Sequence, residues 1–243
     1  MPNSPGPLLR VSHVSIRYGR VRAVDGISLQ VCGGESVAII GPNGAGKSTT
    51  LKGICGLVPI SDGTIWFRDT DITGLPPHKL VQYGIGLAPE ERHVFPTMSV
   101  LENLEMGGFS IGRGVDTRQR MQKLLQKFPL LDKRRRQKAR SLSGGEQQLL
   151  SMARALMLDP VLFLLDEPTF ALSPNFVRIV FNVLGELREQ GTSMLVVEQN
   201  AREALEATNR AYVFQIGGIA LSGDSQELLR DARVQTAFLG EGH

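Results

Sequence analysis

The chain is poor in cysteine. Two among 243 residues, Cys32 and Cys55, cannot staple a fold, and they form no CxxC pair or Cys/His cluster suited to a structural metal. Free, buried thiols in a reducing compartment are expected. Long apolar runs are also missing. A membrane-spanning helix needs about 20 consecutive apolar residues, whereas stretches such as Val161–Leu165 have only strand length. The N-terminal MPNSPGPLLRVSH has no basic start followed by an apolar stretch, so no secretory signal is expected. The excess of one sign of charge is small too. A net charge of +3 gives no global pull toward nucleic acid or an acidic membrane. Internal repeats, low-complexity tracts and long linkers are absent.

What is present is an ordinary globular composition, 42% hydrophobic and 21% charged, long enough for one large α/β domain or two small ones. Apolar and polar residues alternate over Leu8–Arg17 and Ile27–Val31, as half-buried antiparallel strands require. Ser36–Ile40 is continuously apolar and runs into a glycine-rich turn; Lys47–Leu57 then predicts a helix, and Thr64–Arg68 a short strand. From about Glu90 to Leu158 the pattern is helical with loops, and Gly107–Gly114 predicts an irregular segment. Strands over 161–165, 193–198 and 211–216 alternate with helices over about 175–190 and 200–208, which implies a parallel sheet.

The first chemical signal is Gly41-Pro42-Asn43-Gly44-Ala45-Gly46-Lys47-Ser48-Thr49, a full G-x-x-x-x-G-K-[ST] pattern between an apolar strand and a helix. Glycines let backbone N–H groups turn toward phosphate oxygens, and the helix N-terminus adds its positive dipole end. Lys47 supplies a point charge for the β- and γ-phosphates, and Ser48 a hydroxyl ligand for Mg²⁺. Downstream, the apolar run Val161–Leu165 ends on Asp166-Glu167-Pro168. A carboxylate at the end of a buried strand lies beside such a loop. Asp166 is placed to hold Mg²⁺ and Glu167 to act as general base on water. The competing reading is that both only cap the next helix. Together the two motifs point to hydrolysis of a nucleoside triphosphate, ATP with Mg²⁺.

Leu142-Ser143-Gly144-Gly145-Glu146-Gln147-Gln148 resembles the signature motif of ABC (ATP-binding cassette) ATPases, in that family's order and spacing between the phosphate loop and Asp166. The resemblance covers essentially the whole chain. It implies an ABC-type P-loop α/β fold: a mixed sheet core with N-terminal antiparallel strands and an inserted helical subdomain. The core would span 1–88 and 158–243, with the helical part over about 89–157. The resemblance further implies that Ser143, Gly144, Gly145 and Glu146 close over the nucleotide of a second cassette, and that Tyr18 stacks on the adenine ring. Thr169–Pro174 matches the loop that communicates across the pair, with Ser173 where an aspartate is common.

Two positions depart from the family pattern. Glu90 stands where a glutamine follows proline and implies a carboxylate near the metal. Gln199, in Leu195–Asn200 (LVVEQN), stands where the family carries a histidine. Glutamine can donate a hydrogen bond to a γ-phosphate but cannot transfer a proton; alternatively it only caps the next helix. This combination resembles an ATPase subunit of branched-chain amino acid importers, and close relatives that import urea or short amides share it. Such a subunit implies a second, similar cassette, two transmembrane permease subunits, an external substrate-binding protein, no nucleic acid, and a peripheral place on the cytoplasmic face of the plasma membrane. Phe95, Pro96 and Met98 are the apolar candidates for docking a permease helix; the other reading is core of the helical part. The rival function, a soluble ABC ATPase acting on nucleic acid or ribosomes, rests on the basic run Lys133–Arg140, whose simpler reading is a solvated face.

Overall fold

The computed structural model describes residues 6–110 and 116–239. In chain order the elements are β1 (Leu9–Tyr18), β2 (Val21–Val31), β3 (Ser36–Ile40), α1 (Lys47–Ile54), β4 (Asp62–Phe67), β5 (Thr70–Asp71), α2 (Pro77–Leu80) and β6 (Ile85–Ala88). Then come α3 (Val100–Gly107), α4 (Thr117–Lys127), α5 (Pro129–Lys133) and α6 (Gly144–Leu156). The rest is β7 (Leu162–Asp166), α7 (Pro174–Glu189), β8 (Ser193–Glu198), α8 (Ala201–Ala207), β9 (Arg210–Gln215), β10 (Gly218–Asp224) and α9 (Ser225–Arg230).

Two sheets form. The smaller is antiparallel in the order β2-β1-β4-β5; the larger runs β10-β9-β3-β8-β7-β6, parallel from β9 to β6 with β10 antiparallel at its edge. β3, β7 and β8 are buried along their whole length, which is why their sequences read as continuous apolar runs rather than alternations. Successive residues of β7 serve different layers. Leu162 and Leu164 pack with α1 and the antiparallel sheet; Phe163 and Leu165 pack with α3 to α7. A third cluster joins Ala38, Ile40, Ala211 and Val213 to α8 and α9.

The structure departs from the sequence expectation in several ways, beyond the short unexpected β5 and α2. β2 starts at Val21, six residues before the alternation becomes clean, because the hairpin register shifts near Val24 and Ile27. β6, with its short Ile-Gly-Leu-Ala sequence, is an added parallel edge strand beside β7. α1 stops at Ile54, three residues early. Gly107 ends α3, so it is helical rather than irregular, while 111–114 of the predicted irregular segment lie outside the described residues.

A parallel sheet gathers the carboxyl ends of its strands on one side, and ligand crevices open there. The loops after β3, β6, β7 and β8 leave the sheet on that side, carrying Gly41–Gly46, Glu90, Glu167 and Gln199 respectively.

Candidate nucleotide site

The loop after β3 is shaped by close backbone packing. Gly41 and Gly46 hold φ of 153° and 97°; a Cβ would meet the Phe214 carbonyl oxygen at 2.4 Å or the Ala23 carbonyl oxygen at 2.6 Å. Only glycine suits either place. The loop ends in α1, whose first residue, Lys47, is 4% exposed. Its ammonium donates to the Gly41 carbonyl at 2.9 Å and the Pro42 carbonyl at 3.2 Å, and lies 3.3 Å from Glu167 Oε1. A buried cation thus bridges the glycine loop and the carboxylate that follows β7. The sequence placed these residues 120 positions apart; the parallel pairing of β3, β8 and β7 brings them together.

Asp166 ends β7 and is 4% exposed. Burial pushes its carboxyl above the usual range, while the Ser48 hydroxyl pulls it down, as does the charge of Lys52. One oxygen, Oδ1, is buried without a hydrogen-bond partner. An orphaned carboxylate oxygen beside a hydroxyl is a hard-oxygen donor pair that fits Mg²⁺, which takes one or two protein ligands and completes its shell with water and phosphate. No cluster of three or more His, Cys, Asp or Glu suited to a metal occurs among the described residues. Glu167 adopts φ of 43°, in the left-handed region, and its N–H donates to the Val197 carbonyl at 2.9 Å. A non-glycine residue held there costs about 1–3 kcal/mol, and such strain gathers at functional sites.

Glu90 lines a cavity of about 260 Å³ with Asp166, Lys52 and Leu51. Burial raises its carboxyl above the ordinary value, the negative charges of Glu167 and Asp166 raise it further, and Lys52 opposes them. Tyr18 ends β1 with half of its surface exposed, opposite Val21. Gln199 is exposed at the end of β8. It does not cap α8: Asn200 is the capping position, and the Gln199 and Asn200 N–H groups both donate to Glu198 Oε2, at 3.1 and 3.3 Å.

Ser143 caps α6 in a reciprocal box. Glu146 N–H donates to Ser143 Oγ at 3.3 Å and Ser143 N–H donates to Glu146 Oε2 at 2.8 Å. The other Glu146 oxygen pairs with Arg134 Nε at 2.7 Å, and the side chain is buried. Glu146 therefore shapes this turn, and its carboxylate is already committed to protein partners. Gly144 lies under Arg92, 2.8 Å from a guanidinium nitrogen to where a Cβ would stand; Gly145 packs on the Phe176 ring. Neither neighbour belongs to the Gly41–Gly46 loop.

Sequence reasoning missed Glu198. It is 2% exposed, and both carboxylate oxygens accept hydrogen bonds. Burial pushes its carboxyl up, Thr169 and Asn200 pull it back, and the charge of Glu167 adds to the rise. A charged residue ending an otherwise apolar strand was the available signal.

The apolar candidates separate. Phe95 lines a groove of about 610 Å³ between Pro77–Leu87 and Val94–Leu158, together with Met106, which the sequence did not single out. Pro96 and Met98 do not line it; their carbonyls accept from Arg140 and Ala139 instead. Arg154 lies 5.2 Å from the Phe95 ring centroid. The basic run is partly neutralised by Arg134–Glu146, Arg135–Asp132 and Lys138–Glu102 pairs. Cys55 is buried with its thiol pushed up to about 12, and Cys32 is half-buried. No helix among the described residues is long and apolar enough to cross a membrane.

Comparison with known proteins gives this geometry its family. Residues 24–170 match the family model described as ABC transporter. The chain is 41% identical over 233 residues to the high-affinity branched-chain amino acid transport ATP-binding protein BraG of Pseudomonas aeruginosa, covering 96% of this chain and 100% of that one. It is 36% identical over 236 residues to the lipopolysaccharide export system ATP-binding protein LptB of Escherichia coli K12, covering 96% and 97%. The ADP conformation of MJ1267, an ATP-binding cassette of an ABC transporter, superposes with a TM-score of 0.85 at 30% identity, covering 97% of this chain and 99% of the other. The chain belongs to the ABC transporter family, as one of its ATP-binding, ATP-hydrolysing cassettes.

Proposed function

We propose that this cassette is the energy-coupling subunit of an importer for branched-chain, hydrophobic amino acids. The observation that carries the reading is the 41% identity to BraG across essentially the full length of both chains. The Glu90 and Gln199 departures, first seen in the sequence, belong to the same reading. A second reading, the cassette of an exporter, is supported by the 36% identity to LptB.

In the proposed cycle ATP is gripped by two chains. Residues 41–49 wrap the phosphates, with Lys47 as the buried counter-charge, and Tyr18 stacks on the base. Ser48 and Asp166, with Glu90 nearby, would hold Mg²⁺, which supplies charge neutralisation at the β- and γ-phosphates. Glu167 accepts a proton from the attacking water. Gln199 donates its side-chain N–H to the γ-phosphate. Ser143, Gly144 and Gly145 cover the nucleotide of a partner cassette, since their turn packs on Arg92 and Phe176 rather than on its own phosphate loop. Residues 1–88 and 158–243 form the nucleotide-binding part and about 89–157 the helical part; 1–5, 111–115 and 240–243 lie outside the described residues. The apolar groove around Phe95 and Met106, between the two parts, receives a helix of a permease subunit. The cassette then acts from the cytoplasmic face of the plasma membrane, with a substrate-binding protein on the other side. Two closed cassettes separate once hydrolysis removes the γ-phosphate contacts.

The test is uptake of labelled leucine, isoleucine and valine by cells lacking this chain. Loss of uptake, restored by the wild type and not by Glu167→Gln, supports import. Normal uptake of all three contradicts it, and an envelope defect in those cells would favour the export reading.

A further inference from the structure

Resting on the reading that Glu167 and Gln199 act at the γ-phosphate, we infer that Glu198 is a positioning residue that locks the loops bearing these two side chains into one register. The loops leave adjacent parallel strands, β7 and β8. Glu198 Oε1 accepts from both Thr169 N at 3.0 Å and Thr169 Oγ1 at 2.7 Å. Oε2 accepts from the N–H groups of Gln199 and Asn200. One buried carboxylate therefore spans two loops, one oxygen to each. Thr169 lies two residues beyond Glu167, and the Glu167 N–H is itself tied to Val197, the residue before Glu198. Between these anchors the chain is held in the left-handed conformation of Glu167. That conformation persists only when its surroundings over-determine it.

Substituting the carboxylate with an amide reverses one end of the clamp. Glutamine would present an NH₂ group to one pair of donors, so it can serve either Thr169 or the Gln199–Asn200 turn, but not both. The loops would then be free to slip past one another. A misplacement of about 1 Å at a reacting group costs roughly 100-fold in rate. The nucleotide's grip by residues 41–48 is untouched, because none of the four bonds to Glu198 involves that loop.

The experiment uses the full chain with Glu198→Gln, Thr169→Val, Thr169→Ser, the Glu198→Gln/Thr169→Val double variant, and Glu167→Gln as control. Mg·ATP affinity and steady-state turnover are measured separately. Glu198→Gln should lower kcat roughly 10- to 100-fold with affinity unchanged within about threefold. Thr169→Val should lower kcat less, Thr169→Ser should restore it, and the double variant should match Glu198→Gln alone. Turnover of Glu198→Gln within about twofold of wild type overturns the inference, and so does a parallel fall of kcat and affinity. If Glu198→Gln does not fold, the Thr169 pair decides by the same split. Near-normal turnover of Glu167→Gln is a separate failure: it removes the proposed base and leaves the clamp without its object.

Discussion

Substituting Lys47 by alanine perturbs two interactions at once, and the structure separates them. The ammonium lies 3.3 Å from Glu167 Oε1, and both groups are nearly buried. At an effective dielectric of about 20, that separation corresponds to about 5 kcal/mol of attraction. Part is offset by desolvation of the two ions, and breaking one partner of a buried pair costs about 3–5 kcal/mol. The Lys47→Ala protein should therefore lose about 3 kcal/mol of stability, a fall in Tm of roughly 6–12 °C for a chain of this size. Neutralising the stranded carboxylate should return most of that loss, so Lys47→Ala/Glu167→Gln should be more stable than Lys47→Ala. ATP affinity behaves differently. A charge-assisted phosphate contact contributes about 1.5–3 kcal/mol, so binding should weaken roughly 10- to 200-fold in both variants. Calorimetric titration with Mg·ATP and thermal unfolding of the three proteins resolve the two effects. Unchanged ATP affinity in Lys47→Ala refutes the phosphate-loop assignment, and additivity of the two substitutions in Tm refutes the buried pair.

Three further predictions concern single groups. Glu167→Gln should bind ATP with near-normal affinity and turn it over at least about 100-fold more slowly, measured by phosphate release; near-normal release reassigns the base. Gln199→His should retain or raise turnover, because imidazole also donates to a γ-phosphate; complete loss would give the glutamine a specific role beyond donation. Burial pushes the Cys55 thiol up to about 12, so at pH 8 the reactive thiolate is its minor form. A thiol reagent at that pH should label Cys32 in the native protein and Cys55 only after denaturation; rapid native labelling of both contradicts the burial of Cys55.

The chemistry was more legible in the sequence than the packing. Lys47, Ser48, Asp166 and the Ser143–Gly145 turn were readable because each motif depends on residue types at fixed local spacing. The convergence of Lys47, Ser48 and Asp166 needed the strand order, which no local pattern contains. β6 escaped because four residues with a central glycine carry little periodicity, and its strand character comes from pairing with β7. Glu198 escaped for a related reason. Its partners lie on two loops, and one of them, Thr169, is 29 positions away. Pro96 and Met98 looked as suitable as Phe95 by hydrophobicity alone. Only the fold separates them: Phe95 lines the groove and Pro96 and Met98 do not, although the Asn103 side chain bonds the backbone of both Phe95 and Met98. Glu146 read as part of a nucleotide contact because it is embedded in the signature stretch. Its pair with Arg134 emerges only in three dimensions.

The two-sided grip on the nucleotide is tested most directly by mass. Glu167→Gln chain, saturated with Mg·ATP, is followed by analytical ultracentrifugation alone and mixed with a similar cassette of the same transporter. The account predicts that the 26.5 kDa species gives way to a pair of cassettes in at least one of the two samples. Pairing should be lost on removing ATP, and lost on Ser143→Arg while ATP binding persists. A species that stays at 26.5 kDa in both samples with ATP bound would contradict it.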